Sequence, residues 1–283
     1  MIDSEADMQA LPRLTPEHAA PSEVARAHES RYVAAIGTAG READSQGGWL
    51  DPDTWIGPGS LDAALAAAGG AVAGVREVLH GRHRSAFSLC RPPGHHATRE
   101  RAMGFCLFNN VAIAAAWALD AGCARLAIID FDVHHGNGTQ DIFYERNDAL
   151  YLSCHQYGFG FYPGTGAASE RGHGDGDGYT VNAPLAAGGG ESEVLAAFDE
   201  VFWPNLRDYR PELLLVSAGY DAHIDDPIAN MRLEDQSFAV LARRIRAWSE
   251  ELCGGRTVWV LEGGYGLAGL CAGVSGCLRV LAE

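Results

Sequence analysis

The stretch from Leu126 to Gly138 constrains the fold more than any other part of the sequence. An apolar run passes directly into two carboxylates, two imidazoles and a glycine turn. Successive side chains of a strand point to opposite faces, so Asp130, Asp132 and His134 are predicted to project from one face. A buried strand running into an ordinary surface loop would not explain ionisable groups at the strand end where parallel sheets place their sites. Carboxylate oxygens with an imidazole nitrogen predict a bound divalent ion, such as zinc.

Two later strands are predicted to end in polar groups of the same kind. The apolar run at residues 213–218 is followed by Asp221, which we predict to be a third metal ligand. The run at 257–261 continues into Glu-Gly-Gly-Tyr-Gly, whose glycines permit a tight turn that points Tyr265 back over the strand ends. A packed loop aromatic is the alternative interpretation of this tyrosine.

A stiff turn presents two adjacent histidines after a predicted strand at residues 86–90. Two prolines and Gly94 come directly before His95 and His96, so the backbone there has little conformational freedom apart from a tight turn. Because imidazole titrates close to neutral pH, the pair is predicted to provide acid and base groups.

Buried strands alternate with amphipathic helices along most of the chain. This pattern predicts one α/β domain over residues 1–283, with a mostly parallel sheet covered by helices on both faces. Helices are predicted for residues 60–80 and 191–207. Earlier in the chain the pattern is weaker, and it predicts a helix at 15–36, a polar loop at 37–48 and turns at 51–60.

The composition limits the classes of partner. The formal net charge of −16 argues against a broad nucleic-acid surface and is compatible with cationic substrates. The sequence contains no lysine, so every fixed basic side chain is an arginine. No apolar run approaches the roughly 20 residues of a membrane span, and the N-terminus has no signal-peptide pattern. A soluble, cytoplasmic protein without membrane contact is expected, and its oligomeric state is left open.

The seven cysteines offer a second chemistry. They form no Cys-x-x-Cys pair, and their odd number does not suit a disulfide framework. Cys90 and Cys106 flank the histidine turn, so a cysteine nucleophile is an alternative to metal chemistry. Nothing in the sequence marks either thiol as activated, and we therefore favour the metal hypothesis.

Together these motifs resemble the histone deacetylase family, which has the arginase/deacetylase fold. They occur in the family's order from about residue 50 to the end. The asparagine at position 137 resembles the class II and bacterial amidohydrolase branch, which includes acetylpolyamine deacetylases. The matching segments are Arg-Pro-Pro-Gly-His-His at 91–96, Gly-Phe-Cys at 104–106, Asp-Phe-Asp-Val-His-His-Gly-Asn-Gly-Thr at 130–139, Pro-Gly-Thr-Gly at 163–166, Ser-Ala-Gly-Tyr-Asp at 217–221 and Glu-Gly-Gly-Tyr at 262–265.

The resemblance implies a zinc-dependent deacetylase that hydrolyses an N-acetylated amine to the free amine and acetate. It implies that Asp132, His134 and Asp221 bind Zn²⁺, with Fe²⁺ or Co²⁺ as alternative metals. The implied catalytic residues are His96 as general base, His95 as its electrostatic partner, Asp130 and Asn137 behind the two histidines, and Tyr265 as the hydrogen-bond donor to the oxyanion.

The resemblance also implies a substrate channel and two potassium sites. Phe105 and Tyr162 match the two aromatic walls of the channel, Ile228 corresponds to an apolar rim position, and Gly104 is a further substrate-binding residue. Asp53 lies near the position where some relatives hold the substrate backbone. The first K⁺ site comprises the side chains of Asp130 and Ser153 with the carbonyls of Asp130, Asp132, His134 and Cys154, and the second comprises the carbonyls of Phe143, Arg146, Ala149 and Tyr179.

One departure from the family pattern concerns the beginning of the chain. Family members usually open with a strand and a long loop at the pocket rim, and both are expected to be missing here. Residues 1–50 are therefore expected to form an atypical, shortened part of the domain, and the pocket is expected to be more open.

The expected substrate is an acetylated lysine in a peptide or protein, and three other functions are left open. The first is an acetylpolyamine amidohydrolase. The second is an arginase-like ureohydrolase, because Asp-Ala-His-Ile-Asp at 221–225 resembles that pattern, although it leaves His95, His96 and Tyr265 without a role. The third is a non-catalytic module that binds acyl-lysine.

Overall fold

Six strands form the central sheet in the computed structural model, which describes residues 6–283. They are β3 (Ser85–Ser88), β4 (Leu126–Asp130), β5 (Ala149–Gln156), β6 (Thr180–Leu185), β7 (Leu213–Ala218) and β8 (Thr257–Leu261). Two shorter strands, β1 (Gly48–Asp51) and β2 (Thr54–Ile56), pair as a separate antiparallel hairpin. The order across the sheet is β3-β8-β7-β4-β5-β6, and every neighbouring pair is parallel. The predicted parallel sheet is confirmed.

Helices cover both faces of the sheet. They are α1 (Ala6–Gln9), α2 (Pro21–Val24), α3 (Ser30–Gln46), α4 (Ser60–His80), α5 (Asn110–Asp120), α6 (Asn137–Phe143), α7 (Glu191–Ala196), α8 (Trp203–Tyr209), α9 (Asp235–Cys253) and α10 (Leu267–Ala282). A π-helical segment, Ala197–Phe202, joins α7 to α8, so the predicted helix at 191–207 forms as one helical stretch. None of the helices in the described part of the chain combines the length and the apolar character that a membrane crossing requires.

Side chains alternate along β4, so that those on one face of the sheet pack into one hydrophobic core and those on the other face into a second. Leu126 and Ile128 pack into the core formed with α4 and α5, whereas Ala127 and Ile129 pack into the core formed with α9 and α10. All four are fully buried. Complete burial of a large apolar side chain such as isoleucine stabilises a fold by about 1.5–3 kcal/mol. An uninterrupted apolar strand is therefore what a sheet covered on both faces requires.

The strand register brings the chemically important loops together. Asp130, the last residue of β4, is paired with Ser153 of β5 and with Ser217 of β7. Ser217 is in turn paired with Val260 of β8. Because the strands are parallel, the segments that follow β3, β4, β7 and β8 all leave the sheet at the same edge.

The prediction for residues 15–48 is wrong in its helix boundaries. Helix occupies only Pro21–Val24 and then Ser30–Gln46, and α3 runs through the segment that we expected to be a polar loop. The glycines of that segment suggested a loop, but Gly40 is buried in a helix contact. A Cβ at Gly40 would lie 2.6 Å from Leu61 Cβ of α4, so glycine permits close packing of the two helices.

The turn-rich segment at 51–60 contains the second half of a hairpin. Trp49 and Trp55 face each other across β1 and β2, with ring centroids 5.1 Å apart in an edge-to-face arrangement. Such aromatic pairs across two strands stabilise a short hairpin. The turns at residues 52–53 and 57–59 are present as predicted, and α4 begins at Ser60.

Strand β6 was not predicted from the sequence. This strand contains Asn182 and Pro184, which are unfavourable within a central strand. β6 lies at the edge of the sheet, where proline is tolerated because a ladder hydrogen bond is required on one side only.

Candidate active site

Three predicted metal ligands converge beyond the carboxyl ends of β4 and β7. One ligand atom from each of Asp132, His134 and Asp221 can be chosen so that all three lie within 4.8 Å of one another, and all three residues are buried. Val133 N–H donates to Asp221 Oδ1 at 3.0 Å, which joins the two loops directly. Two carboxylates and one imidazole are a suitable donor set for a divalent ion with a further position open to water or substrate.

The electrostatics of the cluster favour a positive charge at its centre. His134 Nδ1 lies 3.0 Å from Asp221 Oδ2 and 3.3 Å from Asp132 Oδ1. Burial lowers the pKa of His134, but its hydrogen bonds to the two carboxylates outweigh burial and raise the pKa to about 10. Burial and the neighbouring charge of Asp132 raise the pKa of Asp221 to about 6. A divalent cation at this position would compensate both carboxylates.

Two glycines allow the backbone to approach the ligand carboxylates. A Cβ at Gly219 would lie 2.2 Å from Asp132 Oδ2, and a Cβ at Gly263 would lie 2.2 Å from Asp221 Oδ2. Gly263 N–H also donates to Asp132 Oδ2 at 2.8 Å, so this carboxylate has one oxygen fixed by the backbone. The residues present therefore fit a metal ion in both donor chemistry and shape.

The prediction that the ligands lie on one strand face is wrong in detail. β4 ends at Asp130, and Asp132 and His134 lie on the turn that follows. Side-chain oxygens stabilise this turn, because Asp130 Oδ1 accepts from Asp132 N–H at 3.1 Å and Asp132 Oδ1 accepts from His134 N–H at 2.8 Å. Asp130 does not belong to the group of three converging ligands, and its Oδ2 lies 3.1 Å from His95 Nδ1.

The two histidines have different partners. His95 Nδ1 lies 3.1 Å from Asp130 Oδ2, and its Nε2 lies 3.8 Å from Asp132 Oδ1. Burial lowers the pKa of His95, but the charges of Asp132 and Asp130 raise it to about 10. His95 is therefore an imidazolium at neutral pH.

His96 is a neutral imidazole with one free nitrogen. Its Nδ1 lies 2.8 Å from Asn137 Oδ1, so Nδ1–H donates to the amide oxygen and Nε2 keeps its lone pair. Burial, and then the charge of His95, hold the pKa of His96 well below its ordinary value. An unprotonated Nε2 beside the cluster can accept a proton.

A buried glutamate, Glu262, accepts hydrogen bonds from the turn that carries the two histidines. Glu262 Oε2 accepts from Gly94 N–H at 2.7 Å and from His95 N–H at 3.1 Å, while Oε1 accepts from Ser217 Oγ at 3.0 Å. Burial raises the pKa of Glu262 to about 7. This carboxylate links the ends of β3, β7 and β8, and sequence reasoning gave it no role.

The ring of Tyr265 has one aromatic neighbour, Phe105, and one cationic neighbour, Arg91. The Tyr265 ring is 5.8 Å from the Phe105 ring in an edge-to-face arrangement, and the Arg91 guanidinium is 5.3 Å from its centroid. Burial raises the pKa of the Tyr265 hydroxyl, so it remains a protonated donor. The packed-aromatic alternative accounts for the ring contacts, but not for the position of Tyr265 on the pocket lining.

These groups share one pocket of about 240 Å³. It contains the four residues expected at the substrate channel, of which Phe105 adopts a left-handed backbone conformation (φ 67°). Thr54 Oγ1 accepts from Phe105 N–H at 3.1 Å, and Asp53 Oδ1 accepts from Gly104 N–H at 2.9 Å, so the β1–β2 hairpin fixes this wall. The lining residues are Asp53, Pro93, His95, His96, Gly104, Phe105, Asp132, His134, Tyr162, Asp221, Ile228, Gly263 and Tyr265.

The cysteine alternative is not supported by the site. Cys106 is fully buried, its Sγ donates to Gly104 O at 3.3 Å, and burial raises the pKa of its thiol well above the ordinary value. The pocket lining includes neither Cys106 nor Cys90. Neither thiol is placed to attack a substrate in this pocket.

A sequence profile described as the histone deacetylase domain matches residues 2–281. The chain belongs to the histone deacetylase family. A crystal structure titled as the HDA15 HD domain is similar to it, with a TM-score of 0.90 at 38% identity, over 95% of this chain and 77% of the solved one. The fold predicted from the motifs is therefore confirmed for the whole domain.

Curated relatives from three different organisms carry deacetylase names. A probable deacetylase of Archaeoglobus fulgidus is 43% identical over 257 residues, covering 90% of this chain and 70% of that protein. The histone deacetylase-like amidohydrolase of Pseudomonas aeruginosa is 42% identical over 87% of this chain and 64% of its own length. Histone deacetylase 14, chloroplastic, of Arabidopsis thaliana is 42% identical over 92% of this chain and 63% of its own length. The chain thus spans less than two thirds of the last two relatives.

The two potassium sites remain predictions. Ser153 Oγ lies 2.8 Å from His155 Nδ1, and Ser153 is the register partner of Asp130, as the first site requires. At the second site the carbonyls of Phe143 and Tyr179 already accept backbone hydrogen bonds at 2.9 Å. A carbonyl oxygen has a second lone pair, so these bonds are compatible with a cation.

Proposed function

We propose that this domain, over residues 1–283, is a zinc-dependent deacetylase that hydrolyses an N-acetylated amine to the free amine and acetate. The observation that carries the proposal is the meeting of the three ligands, the free Nε2 of His96 and the Tyr265 hydroxyl in one narrow pocket. Family membership supports the same chemistry.

Asp132, His134 and Asp221 would hold the metal, and these carboxylate and imidazole donors suit zinc, with Fe²⁺ or Co²⁺ as alternatives. When bound, such an ion supplies Lewis acidity, which lowers the pKa of water and polarises an amide carbonyl. The buried ligand set and its surrounding glycines support this assignment. The two K⁺ sites described above are proposed as structural sites.

His96 would act as the general base and then as the general acid. Its neutral Nε2 takes a proton from the attacking water, the water oxygen forms a bond to the carbonyl carbon, and the carbon–nitrogen bond breaks. The same proton is returned to the nitrogen of the leaving group, which departs as the neutral amine. The second water proton stays on the acetic acid, which then ionises and protonates the amine or the solvent, so that acetate is the product. The cationic His95 beside it would stabilise the negative charge that develops near the cluster.

Tyr265 would donate its hydroxyl proton in a hydrogen bond to the developing oxyanion. Loss of one such donor typically reduces kcat by about 10²- to 10³-fold. Phe105 and Tyr162 would form the channel walls, with Gly104 beside them and Ile228 at the rim. A cross-section between two aromatic rings suits the unbranched carbon chain of an acylated lysine.

The substitution His96→Ala tests the proposal. Wild-type protein loaded with zinc is expected to hydrolyse an acetyl-lysine amide, and His96→Ala is expected to lose about 10²- to 10⁴-fold in kcat because the proton acceptor is gone. Zinc content, measured by elemental analysis, is expected to stay unchanged because His96 is not a ligand. His173→Ala, at a histidine whose side chain is 76% exposed, is the matched control. Equal rates for His96→Ala and wild type would remove His96 from the mechanism.

The choice of acylated amine defines the second candidate. An acetylpolyamine is favoured by the net charge of −16 and by Asp53 on the pocket lining. Comparison of kcat/KM for acetylputrescine and an acetyl-lysine peptide separates the two substrates. A preference for the polyamine would assign the chain to acetylpolyamine hydrolysis.

The remaining alternatives fit less well. His223 Nε2 lies 3.0 Å from Asp235 Oδ1, so His223 does not contribute to a second metal position as an arginase-like site would require. Among the side chains that the structure describes, a single group of three potential ligands converges. A non-catalytic acyl-lysine module would have no use for the free nitrogen of His96.

A further inference from the structure

The loop that carries Tyr265 has little intrinsic rigidity. Gly263, Gly264 and Gly266 surround the tyrosine, and Gly264 has a φ of 126°, which only glycine adopts readily. Glycine-rich backbone has the largest conformational freedom of any sequence. Contacts from outside the loop must therefore fix the position of Tyr265.

Asp226 supplies such contacts from the neighbouring loop after β7. Its Oδ2 accepts from Tyr265 N–H at 2.7 Å and from Gly266 N–H at 3.1 Å. Its Oδ1 accepts from Ile228 N–H at 3.1 Å. One carboxylate therefore restrains both the tyrosine loop and the rim residue.

In the part of the chain that the structure describes, the carboxylate of Asp226 accepts hydrogen bonds from these three amides alone. Asp226 is 7% exposed, and none of the ion pairs found among residues 6–283 includes it. Its charge is balanced by N–H dipoles, which form stronger hydrogen bonds to a carboxylate than to a neutral acceptor. Its removal would leave three amides without their acceptor.

The other neighbours of Tyr265 act on different parts of the loop. Phe105 and Arg91 contact the ring, and Arg91 Nη2 donates to Gly264 O at 2.7 Å. Gly266 packs directly on the β7 loop, since a Cβ there would lie 2.9 Å from Asp225 O. The backbone amide of Tyr265 is held by Asp226.

We propose that Asp226 is a positioning residue that holds the Tyr265 hydroxyl at the oxyanion position of the pocket. The proposal rests on the deacetylase function proposed above. Asp226 is not part of the pocket lining, so it acts through Tyr265 and does not touch the substrate. A misplacement of about 1 Å can cost about 10²-fold in rate, which sets the scale of the effect.

A double-mutant cycle tests this role. Asp226→Ala is expected to lower kcat by about 10- to 100-fold with KM changed by less than about threefold, because the donor is displaced while the channel persists. In a Tyr265→Phe background the same substitution is expected to cost less than about twofold, since the hydroxyl it positions is absent. Equal losses in both backgrounds would overturn the proposal.

Asp225→Asn is the matched control, because Asp225 is the adjacent, exposed carboxylate and the charge change is the same. It is expected to leave kcat unchanged. If Asp226→Ala does not fold, Asp226→Asn replaces it in the cycle, since the amide retains one acceptor oxygen. A fall in kcat for Asp225→Asn equal to that for Asp226→Asn would also contradict the proposal.

A spectroscopic readout separates this proposal from the proposed function. With 3-fluorotyrosine incorporated, the ¹⁹F resonance that disappears in Tyr265→Phe is expected to shift or broaden in Asp226→Ala and to be unchanged in Asp225→Asn. An unchanged resonance in Asp226→Ala would sink the positioning role. If the wild-type protein is inactive but the resonance changes as expected, the result would contradict the proposed deacetylase function. It would still support the contact between Asp226 and the loop that carries Tyr265.

Discussion

At the scale of single residues, the difference between His95 and His96 comes from what stands behind each ring. The charges of Asp132 and Asp130 make His95 a cation. Burial and the charge of His95 keep His96 unprotonated, because the partner of its ring is the neutral amide of Asn137 and not a carboxylate. Of these two adjacent histidines, His95 is thus positively charged and His96 is neutral at the same pH. This difference supports the proposed roles of His96 as base and His95 as its electrostatic partner.

Asn137→Asp is expected to reduce the difference in protonation between His95 and His96. A carboxylate 2.8 Å from His96 Nδ1 would raise the pKa of His96, because it favours the imidazolium. The base must be unprotonated, so the acidic limb of the kcat/KM profile is expected to move to higher pH by about one unit or more. Rates measured from about pH 5 to about pH 9 would show the shift.

Asn147→Asp is the control for that experiment, since it introduces the same charge at an exposed position. Its pH profile is expected to match that of the wild type. An unmoved acidic limb in Asn137→Asp would contradict the role of Asn137 in setting the proton affinity of His96.

At the scale of elements, the strands that could be predicted from the sequence are the buried ones, because their own residues are apolar. β4, β7 and β8 are continuous apolar runs, and their polar ends led to Asp132, His134, Asp221 and Tyr265. β6 was missed because an edge strand tolerates polar residues and proline. The contacts of Glu262 and Asp226 could not be predicted, because each serves amides that come close only in the folded sheet.

A buried histidine joins the N-terminal helices to α5. His28 Nδ1–H donates to Thr98 O, and its Nε2 accepts from Asn109 N–H, both at 2.8 Å. Asn109 is the N-cap of α5 and accepts from Ala112 N–H at 3.0 Å. Burial lowers the pKa of His28 to about 4.

His28 is expected to make stability dependent on pH. The unfolded chain binds a proton at His28 near pH 6.5, whereas the folded chain does so only near pH 4. Stability from this group is therefore present above about pH 6.5 and is lost as pH falls towards 4, at about 1.4 kcal/mol per pH unit. His28→Gln is expected to reduce this slope by about one proton, measured by urea unfolding at several pH values. His173→Gln, at an exposed histidine, should keep the wild-type slope, and an unchanged slope in His28→Gln would contradict the expectation.

At the scale of the whole molecule, the site depends on four separate loops that leave one edge of the sheet. The histidine pair follows β3, two of the proposed ligands follow β4, the third follows β7 and the tyrosine follows β8. No short segment contains the site, and parallel pairing of the strands brings the parts together. A metal ion would connect the β4 and β7 loops at the centre of this assembly.

Removal of the metal is expected to lower the melting temperature. A ligand present at about 1,000 times its Kd stabilises the folded state by about 4 kcal/mol, which for a domain of this size corresponds to about 10 °C. Thermal unfolding with chelator and after return of zinc measures the difference. Asp221→Ala is expected to show no response to zinc, and identical melting temperatures for wild type with and without zinc would argue against a metal site.

Gly219 and Gly263 help to distinguish active from inactive homologues of this domain. Any side chain at either position would collide with a carboxylate of the proposed metal site, because the Cβ alone would lie 2.2 Å from it. A homologue could therefore retain both acids and the imidazole and still have lost the cavity that they enclose. Surveys that separate enzymes from pseudoenzymes gain two diagnostic positions that no inspection of ligands would reveal.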